Sequence, residues 1–288
     1  MIDRRRMMTA VAATITTGLL GGAPSARADE QLAAKLAELE AGSGGRLGVC
    51  VLDTATGGVV GHRLDERFPM CSTFKVLAVA LVLARVDRKQ DSLDRRVHYA
   101  ASDLVTYSPA TEKHLEGGMT IAELCEAAIT LSDNTAANLL LASFGGPPGL
   151  TAFARALGDE TTRLDRIETE LNEALPGDPR DTTSPRAMAQ DLRALGLGDG
   201  LSASSRARLI AWLKANTTGG SRLRAGVPSG WIVADKTGTG DRGTANDVAV
   251  LWPPQRAPLI VTVYLTGATV SRDRQNTTIA AVGAAIAA

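Results

Sequence analysis

Strand-like patterns lie near both ends of this chain, and the long stretch between them is mostly helical in pattern. Near the first end, Arg46–Asp53 alternates apolar with other side chains, which is typical of a strand. Three more strand patterns, rich in β-branched residues, follow at 230–236, 244–252 and 258–266. Between the two groups, apolar residues recur at helical spacing over 72–213. The sequence predicts an α/β fold of the α+β type: a mainly antiparallel sheet from both chain ends, flanked by helices, with an inserted all-helical lobe.

Residues 1–28 are typical of an export signal. A basic start at 4–6 precedes an uncharged, moderately apolar run, and a small-x-small cleavage pattern ends at Ala28. The three arginines fit a twin-arginine signal and an ordinary Sec signal equally well. We therefore expect an exported protein, periplasmic or secreted, whose mature chain begins near Asp29.

The same patterns divide the mature chain into two predicted domains. An α/β domain would combine 29–64 with 214–288, and a helical domain would span 65–213. Within the helical part, 164–183 is rich in charge, glycine and proline and is predicted to be a long ordered loop. Long loops inside a compact domain are usually functional. We expect the active site in the cleft between the two domains.

The composition narrows the classes of partner. Lysine plus arginine and aspartate plus glutamate both number 31, so no charge excess favours nucleic acid or a membrane surface. The three cysteines and three histidines are scattered, without the clustering of a metal site, so neither metal nor cofactor is expected. Beyond the signal no segment is apolar enough to span a membrane, and no long exposed apolar stripe is evident. A monomer is therefore expected.

Four short segments carry the chemistry. The sequence Ser-Thr-Phe-Lys at 72–75 places a hydroxyl and an amine one helical turn apart, pairing a nucleophile with a candidate base. Alone, such a pattern is usually a helix N-cap followed by an exposed lysine. Here Ser-Asp-Asn at 132–134, Glu-Thr-Glu-Leu-Asn at 168–172 and Lys-Thr-Gly at 236–238 follow in order. The ordered set makes a chance match very improbable.

This set resembles the class A serine β-lactamases, whose signature combines S-x-x-K, S-D-N, E-x-x-L-N and K-T-G. The resemblance runs over essentially all of the mature chain. It implies a hydrolase that opens the β-lactam ring of penicillins, and of some cephalosporins, through an acyl-enzyme. It also implies that a small-molecule β-lactam is the partner and that the activity confers β-lactam resistance.

The resemblance assigns the catalytic roles to Ser72, Lys75, Ser132 and Glu168. Ser72 would attack the carbonyl from a helix start, where the dipole favours developing negative charge. Lys75 would polarise that hydroxyl, and Ser132 would relay a proton to the departing ring nitrogen. Glu168 would activate the water that hydrolyses the acyl ester. The sequence leaves open whether Lys75 or Glu168 is the base for acylation.

The expected substrate-binding residues lie in the same motifs or at the cleft mouth: Asn134, Asn172, Lys236, Thr237, Gly238, Thr239, Tyr107 and Arg222. The ammonium of Lys236 would bind the substrate carboxylate. The resemblance implies an oxyanion hole formed by the backbone N–H groups of Ser72 and Thr239. Relatives often carry an arginine where this chain has Ala245, so Arg222 is the expected replacement and Arg242 the second choice.

The same resemblance also predicts an ion pair in the loop and the state of two cysteines. Arg166 and Asp181 match a salt bridge that closes the loop in relatives. Relatives that bridge Cys125 carry the partner cysteine where this chain has Val79, so Cys125 should be free. Relatives active on carbapenems often pair Cys71 with a cysteine beyond K-T-G, which is Gly240 here, so a carbapenem-hydrolysing interpretation is weakened.

Two other functions share part of this site. A cell-wall DD-peptidase would use the same serine and lysine motifs but would be trapped by β-lactam. A non-catalytic β-lactam sensor domain would need a transmembrane signalling segment. Glu168 with Asn172 favours the hydrolase, because an acyl ester needs an activated water to turn over.

Overall fold

The computed structural model describes residues 23–288, so 1–22 of the predicted signal peptide lie outside the described residues. The helices are α1 (Ala23–Ser43), α2 (Phe74–Asp87), α3 (Ile121–Thr130), α4 (Asn134–Ala142), α5 (Gly146–Ala156), α6 (Pro185–Gly196), α7 (Ala203–Lys214), α8 (Leu223–Gly226) and α9 (Arg272–Ala287). The strands are β1 (Arg46–Asp53), β2 (Val59–His62), β3 (Phe68–Pro69), β4 (Arg96–Val97), β5 (Met119–Thr120), β6 (Thr182–Thr183), β7 (Ile232–Gly240), β8 (Thr244–Trp252) and β9 (Leu259–Thr266). Within 23–288, no helix is both long and apolar enough to cross a bilayer.

A five-stranded antiparallel sheet joins the two ends of the chain. Its strand order is β2-β1-β9-β8-β7, so the first strand pairs directly with the last. The register sets Arg46 opposite Thr266 and Lys236 opposite Val248. The predicted fold class is confirmed, with the sheet built from both ends and most helices between them in sequence.

The sheet is covered by helices on both faces. Leu47 and Val49 of β1 pack in one apolar cluster with Leu36 of α1 and with residues of α8 and α9. Cys50 and Leu52 of the same strand belong to the other cluster, which contains α2, α3, α4 and α6. Successive side chains of a strand point to opposite faces, so β1 is buried on both sides. The division into domains 29–64 with 214–288 and 65–213 remains a prediction.

Helix α2 is the centre of the larger core. Every residue from Phe74 to Ala84 is buried, so the helix is enclosed on all sides. Burying a valine, leucine or phenylalanine contributes about 1.5–3 kcal/mol. This core holds Lys75, in the first turn, in a fixed position. Cys50, Cys71 and Cys125 are free and buried, which confirms the prediction that Cys125 is free. Burial raises the pKa of the Cys50 thiol to about 12.

The element boundaries differ from the sequence patterns in two places that matter. Strand β7 continues to Gly240 because its glycines pair with β8, with Gly238 opposite Asn246. The Ala-rich stretch 277–287 predicts a helix, but helix α9 begins five residues earlier, at Arg272, because Ser271 caps it by accepting from the Arg274 N–H. The two-residue strand pairs β3–β6 and β4–β5 are too short to leave a period-two pattern.

A pair of carboxyl groups lies buried between the end of α5 and helix α6. Asp159 Oδ1 accepts from the N–H groups of Thr161 and Thr162 at 2.6 and 3.0 Å. Oδ2 of Asp159 and Oδ2 of Asp191 have no donor partner among residues 23–288. Burial, reinforced by the neighbouring carboxylate and a hydrogen bond to it, raises the pKa of Asp191 to about 9. A proton on Asp191 therefore bridges the two carboxyls at neutral pH.

We expect Asp191→Asn to stabilise the protein increasingly as pH rises from about 4 to 9. The unfolded aspartate ionises above its ordinary pKa of 3.8, while the folded one keeps its proton to about pH 9. The native protein therefore loses stability across that window, and the neutral amide of asparagine removes the loss. At pH 8 the gain should reach at least about 1 kcal/mol, or about 3 °C in melting temperature.

Thermal unfolding between pH 4 and 9 checks this expectation, with Glu160→Gln as the matched exposed control. The control should shift the melting temperature little at any pH. A gain from Asp191→Asn that is the same at pH 5 and pH 8 would show that no proton is shared.

Candidate active site

The predicted nucleophile lies where a short turn enters α2. Cys71–Thr73 forms a 3-10 turn, and Lys75 follows in the first turn of the helix, one turn after Ser72. Cys71 and Ser132, which flank the site, and Tyr107 have positive φ angles of 46°, 59° and 67°. Non-glycine residues rarely adopt such angles, which are concentrated at functional sites. Tyr107 is exposed, and its carbonyl accepts from the Asn134 N–H at 3.0 Å.

The Ser72 hydroxyl donates a hydrogen bond to the Glu168 carboxylate. Its Oγ lies 3.1 Å from Oε1 of Glu168, and the Lys75 ammonium lies 3.0 Å from the same oxygen. Among the described contacts, no hydrogen bond joins Ser72 Oγ to Lys75 Nζ. The nucleophile and its candidate bases therefore meet at one carboxylate oxygen.

The two buried lysines of the motifs converge on Ser132. Lys75 Nζ donates to the Ser132 carbonyl at 2.8 Å and to Asn134 Oδ1 at 2.6 Å. Lys236 Nζ donates to Ser132 Oγ at 3.0 Å. Burial lowers the pKa of Lys75, against the opposing effect of Glu168. Burial and the neighbouring Lys75 charge lower the pKa of Lys236 well below its ordinary value.

Glu168 is held by three asparagine contacts. The Asn138 side chain accepts from the Glu168 N–H and donates to its carbonyl, both at 2.9 Å. Asn172 Nδ2 donates to Glu168 Oε2 at 2.5 Å. Oδ1 of Asn172 is buried and has no donor partner in the described part of the chain. An acceptor left open beside a carboxylate is suited to a bound water.

The Lys-Thr-Gly motif lies on the free edge of β7. Gly238 is required there, because a Cβ would lie 2.7 Å from the Met70 carbonyl oxygen. Arg222 is buried and donates to the Gly238 carbonyl at 2.7 Å and to Thr239 Oγ1 at 2.7 Å. Thr237 Oγ1 contacts Thr218 Oγ1 at 2.5 Å. Arg222 is thus the arginine that lies next to the motif, and Arg242 is exposed in the following turn.

The loop 164–183 is closed by the predicted pair. Arg166 Nε lies 2.6 Å from Asp181 Oδ2, and Arg166 also contacts Glu173. Asp181 additionally accepts from the Asp165 and Arg166 N–H groups at 2.8 and 2.9 Å. Its carbonyl accepts from the Met70 N–H at 2.9 Å, which ties the loop to the segment before the nucleophile.

Sequence reasoning missed several positioning side chains. Asn138 lies one turn after Asn134 on α4, and this same-face spacing could have found it. Asn246 Nδ2 donates to the Pro69 and Met70 carbonyls, and Asn276 Oδ1 accepts from Arg222 Nε at 2.9 Å. Their contacts cross long distances in sequence and leave no local pattern.

A buried serine donates to a carboxylate, one buried lysine contacts the same carboxylate, and a second buried lysine donates to the hydroxyl of Ser132. This arrangement defines the site of a serine acyl-transfer enzyme. A family model described as the β-lactamase enzyme family matches residues 31–288. β-Lactamase CTX-M-8 of Citrobacter amalonaticus is 54% identical over 262 residues, covering 91% of this chain and 90% of its own.

Solved structures of similar proteins also belong to the β-lactamases. PenP from Rhodopseudomonas palustris, assigned to the class A β-lactamases, is 84% identical with a TM-score of 0.88, covering 89% of this chain and 98% of that one. A reconstructed ancestral class A β-lactamase is 65% identical with a TM-score of 0.88, covering 88% of this chain and 98% of that one. The chain belongs to the β-lactamase enzyme family, in class A.

We expect the KM for benzylpenicillin to rise as the pH is raised, with an apparent pKa below 10.5, because the pKa of Lys236 is lowered well below its ordinary value. Above its lowered pKa the ammonium loses the charge that binds a substrate carboxylate. In Lys236→Arg the guanidinium stays charged, so this rise should move upward in pH. Steady-state kinetics from pH 6 to 10.5 check this. A rise that stays in place in the variant would assign the titration to another group.

Proposed function

We propose that this enzyme hydrolyses penicillins and cephalosporins through an acyl-enzyme on Ser72, and so confers β-lactam resistance. The observation that carries the proposal is the Glu168 carboxylate, buried beside both the Ser72 hydroxyl and the open acceptor of Asn172. One carboxylate can then serve the attacking serine and, later, a water. The names of the relatives, CTX-M-8 and PenP among them, support the same substrate class.

Acylation begins with removal of the Ser72 proton. Glu168 Oε1 already accepts a hydrogen bond from that hydroxyl, which supports Glu168 as the direct acceptor. Lys75, with its pKa lowered by burial, lies 3.0 Å from the same oxygen and provides a second acceptor for the proton. The backbone N–H groups of Ser72 and Thr239 would stabilise the tetrahedral oxyanion.

Ser132 is the proton relay to the ring nitrogen. Its hydroxyl accepts from Lys236 at 3.0 Å, and its carbonyl accepts from Lys75 at 2.8 Å. An oxygen that accepts from a buried ammonium is primed to donate its own proton onward. Asn134 Oδ1 accepts from Lys75, and its Nδ2 donates to the Thr106 carbonyl at 2.8 Å, so a substrate side-chain amide would be bound by the second hydrogen of that nitrogen.

The substrate carboxylate is bound at β7. Lys236 supplies the charge, and the hydroxyls of Thr237 and Thr239 supply hydrogen bonds along the open strand edge. Arg222 acts mainly through Thr239, because four of its five N–H groups already donate within the protein. Gly238 leaves room along the strand, and the exposed Tyr107 would contact the substrate at the mouth of the cleft.

Deacylation distinguishes this enzyme from a DD-peptidase or a β-lactam sensor domain. A water between Glu168 and the open Asn172 Oδ1 would attack the acyl ester, with Glu168 as base. Arg166 and Asp181 hold the loop that presents both groups. Neither a trapped peptidase nor a sensor requires this second half of the site.

We also propose that the enzyme is exported as a monomer to the periplasm or medium, with residues 1–28 removed. The sequence pattern of that segment is the support for this step.

Glu168→Ala should convert the enzyme from turnover to trapping. With benzylpenicillin in large excess, the unmodified protein should consume many equivalents, followed by loss of β-lactam absorbance. The variant should accumulate acylated Ser72, visible by intact mass, because deacylation loses its base while Lys75 remains as an acceptor for the Ser72 proton. Removing a general base costs about 10²–10⁴-fold in rate.

Glu170→Ala is the matched control, since this neighbouring carboxylate is exposed and makes no contact with Ser72. It should retain turnover. A single stoichiometric burst in the unmodified protein would instead identify a peptidase or sensor.

Deleting residues 2–28 should retain active enzyme in the cytoplasm, while the full chain should give activity in the periplasm or medium. Cell fractionation with a chromogenic cephalosporin measures both. Replacing the arginines at 4–6 by lysine separates the routes, because only twin-arginine export depends on them. Export of the deletion variant would contradict the assignment of a signal to this segment.

A further inference from the structure

A second cavity, of about 610 Å³, lies behind the loop 164–183. Its walls come from the start of β1, the end of β9, the segment before β3 and the distal half of the loop. None of the catalytic side chains lines it. Its volume falls within the range of about 300–1,000 Å³ that is usual for small-molecule sites.

The positive charge of this cavity is only partly neutralised. Arg46 pairs with Glu66 at 2.8 Å. Arg242 makes no side-chain hydrogen bond or ion pair within residues 23–288. Arg67 also lacks a carboxylate partner in that part of the chain. Two guanidinium groups are therefore available to an anion.

Arg67 donates only to uncharged oxygens, which hold its guanidinium group in place but do not neutralise its charge. It donates to the Thr161 carbonyl at 2.6 Å and to Thr182 Oγ1 at 3.1 Å. The remaining acid on the wall, Asp178, is bonded to Arg180 at 2.7 Å. Both acidic residues of the cavity, Glu66 and Asp178, are therefore paired with other arginines, and neither neutralises Arg67 or Arg242.

The rest of the wall is apolar and stiff. Leu175, Pro176 and Pro179 of the loop line the cavity together with Pro69. We propose that this cavity binds a small organic carboxylate with an apolar body, its anion held by Arg67 and Arg242 and its body against the leucine and prolines. Arginine suits the task, since its planar fork matches a carboxylate.

Occupancy of this site would be transmitted to the catalytic groups. Pro69 lies three residues before Ser72, and its carbonyl accepts from Asn246. Pro179 accepts from Thr182, next to the Asp181 that closes the loop. A ligand wedged between these segments would bias the position of the loop that carries Glu168. Binding should therefore change kcat, and not only KM.

The test uses 2-naphthoate as the probe and the purified protein. Isothermal calorimetry should show saturable binding to the unmodified protein. Arg242→Gln should weaken it about tenfold, because one charged hydrogen-bonding partner is lost. Arg256→Gln, an exposed arginine outside the cavity, is the matched control and should bind as the unmodified protein does. The neutral analogue 2-naphthalenemethanol should bind more weakly than the acid.

Kinetics with benzylpenicillin complete the test. Saturating 2-naphthoate should change kcat in the unmodified protein, and the concentration that gives half of this change should be about tenfold higher in Arg242→Gln. Binding that survives Arg242→Gln unchanged, or that raises KM alone, would locate the probe in the catalytic cleft and overturn the proposal. Absence of saturable binding at millimolar probe would overturn it as well. Binding that depends on Arg242 without any change in kcat would refute the coupling to the loop.

Discussion

The burial of two lysines, only one of which has a carboxylate partner, is the constraint on which the rest of the site depends. Moving an ion into a protein interior costs several kcal/mol unless a partner and hydrogen bonds compensate it. Lys75 has such a partner in Glu168, 3.0 Å away. Lys236 has only the Ser132 hydroxyl and the Thr237 carbonyl, and no carboxylate pairs with it within residues 23–288. Lys236 therefore lacks a counter-ion in the described part of the chain, and in the proposed mechanism a substrate carboxylate would supply that anion.

The charge of Lys75 requires that the loop 164–183 keep Glu168 in place. If Glu168 moved out, Lys75 would be left buried without its counter-ion, so the loop must be held against the helical part. Asn138 binds its backbone on both sides, and the Arg166–Asp181 pair closes its base. An exposed ion pair is worth at most about 1 kcal/mol. This pair is mostly buried and reinforced by backbone N–H donors, so its main effect is on the placement of Glu168.

The sequence was informative wherever the chemistry is local. Glu168 and Asn172, four positions apart, are hydrogen-bonded to each other. Ser72 and Lys75, three positions apart, both contact Oε1 of Glu168. The sheet from both chain ends followed from the strand patterns. Asn246 could not be found in this way, because it contacts residues 176 positions or more away. Strand β7 also continues through glycines of low strand propensity, since tertiary pairing outweighs propensity there.

Some of the unfavourable features of the fold lie at the site, and a well-packed helix lies behind them. Cys71 and Ser132 adopt left-handed backbone angles, each costing about 1–3 kcal/mol, next to the buried lysines. Directly beneath, helix α2 is apolar and wholly buried from Val76 to Ala84. A well-packed helix offsets the strain without entering the chemistry. Changes that relax the strained turns or neutralise the lysines should therefore favour folding at the expense of activity, which is the usual opposition between stability and function.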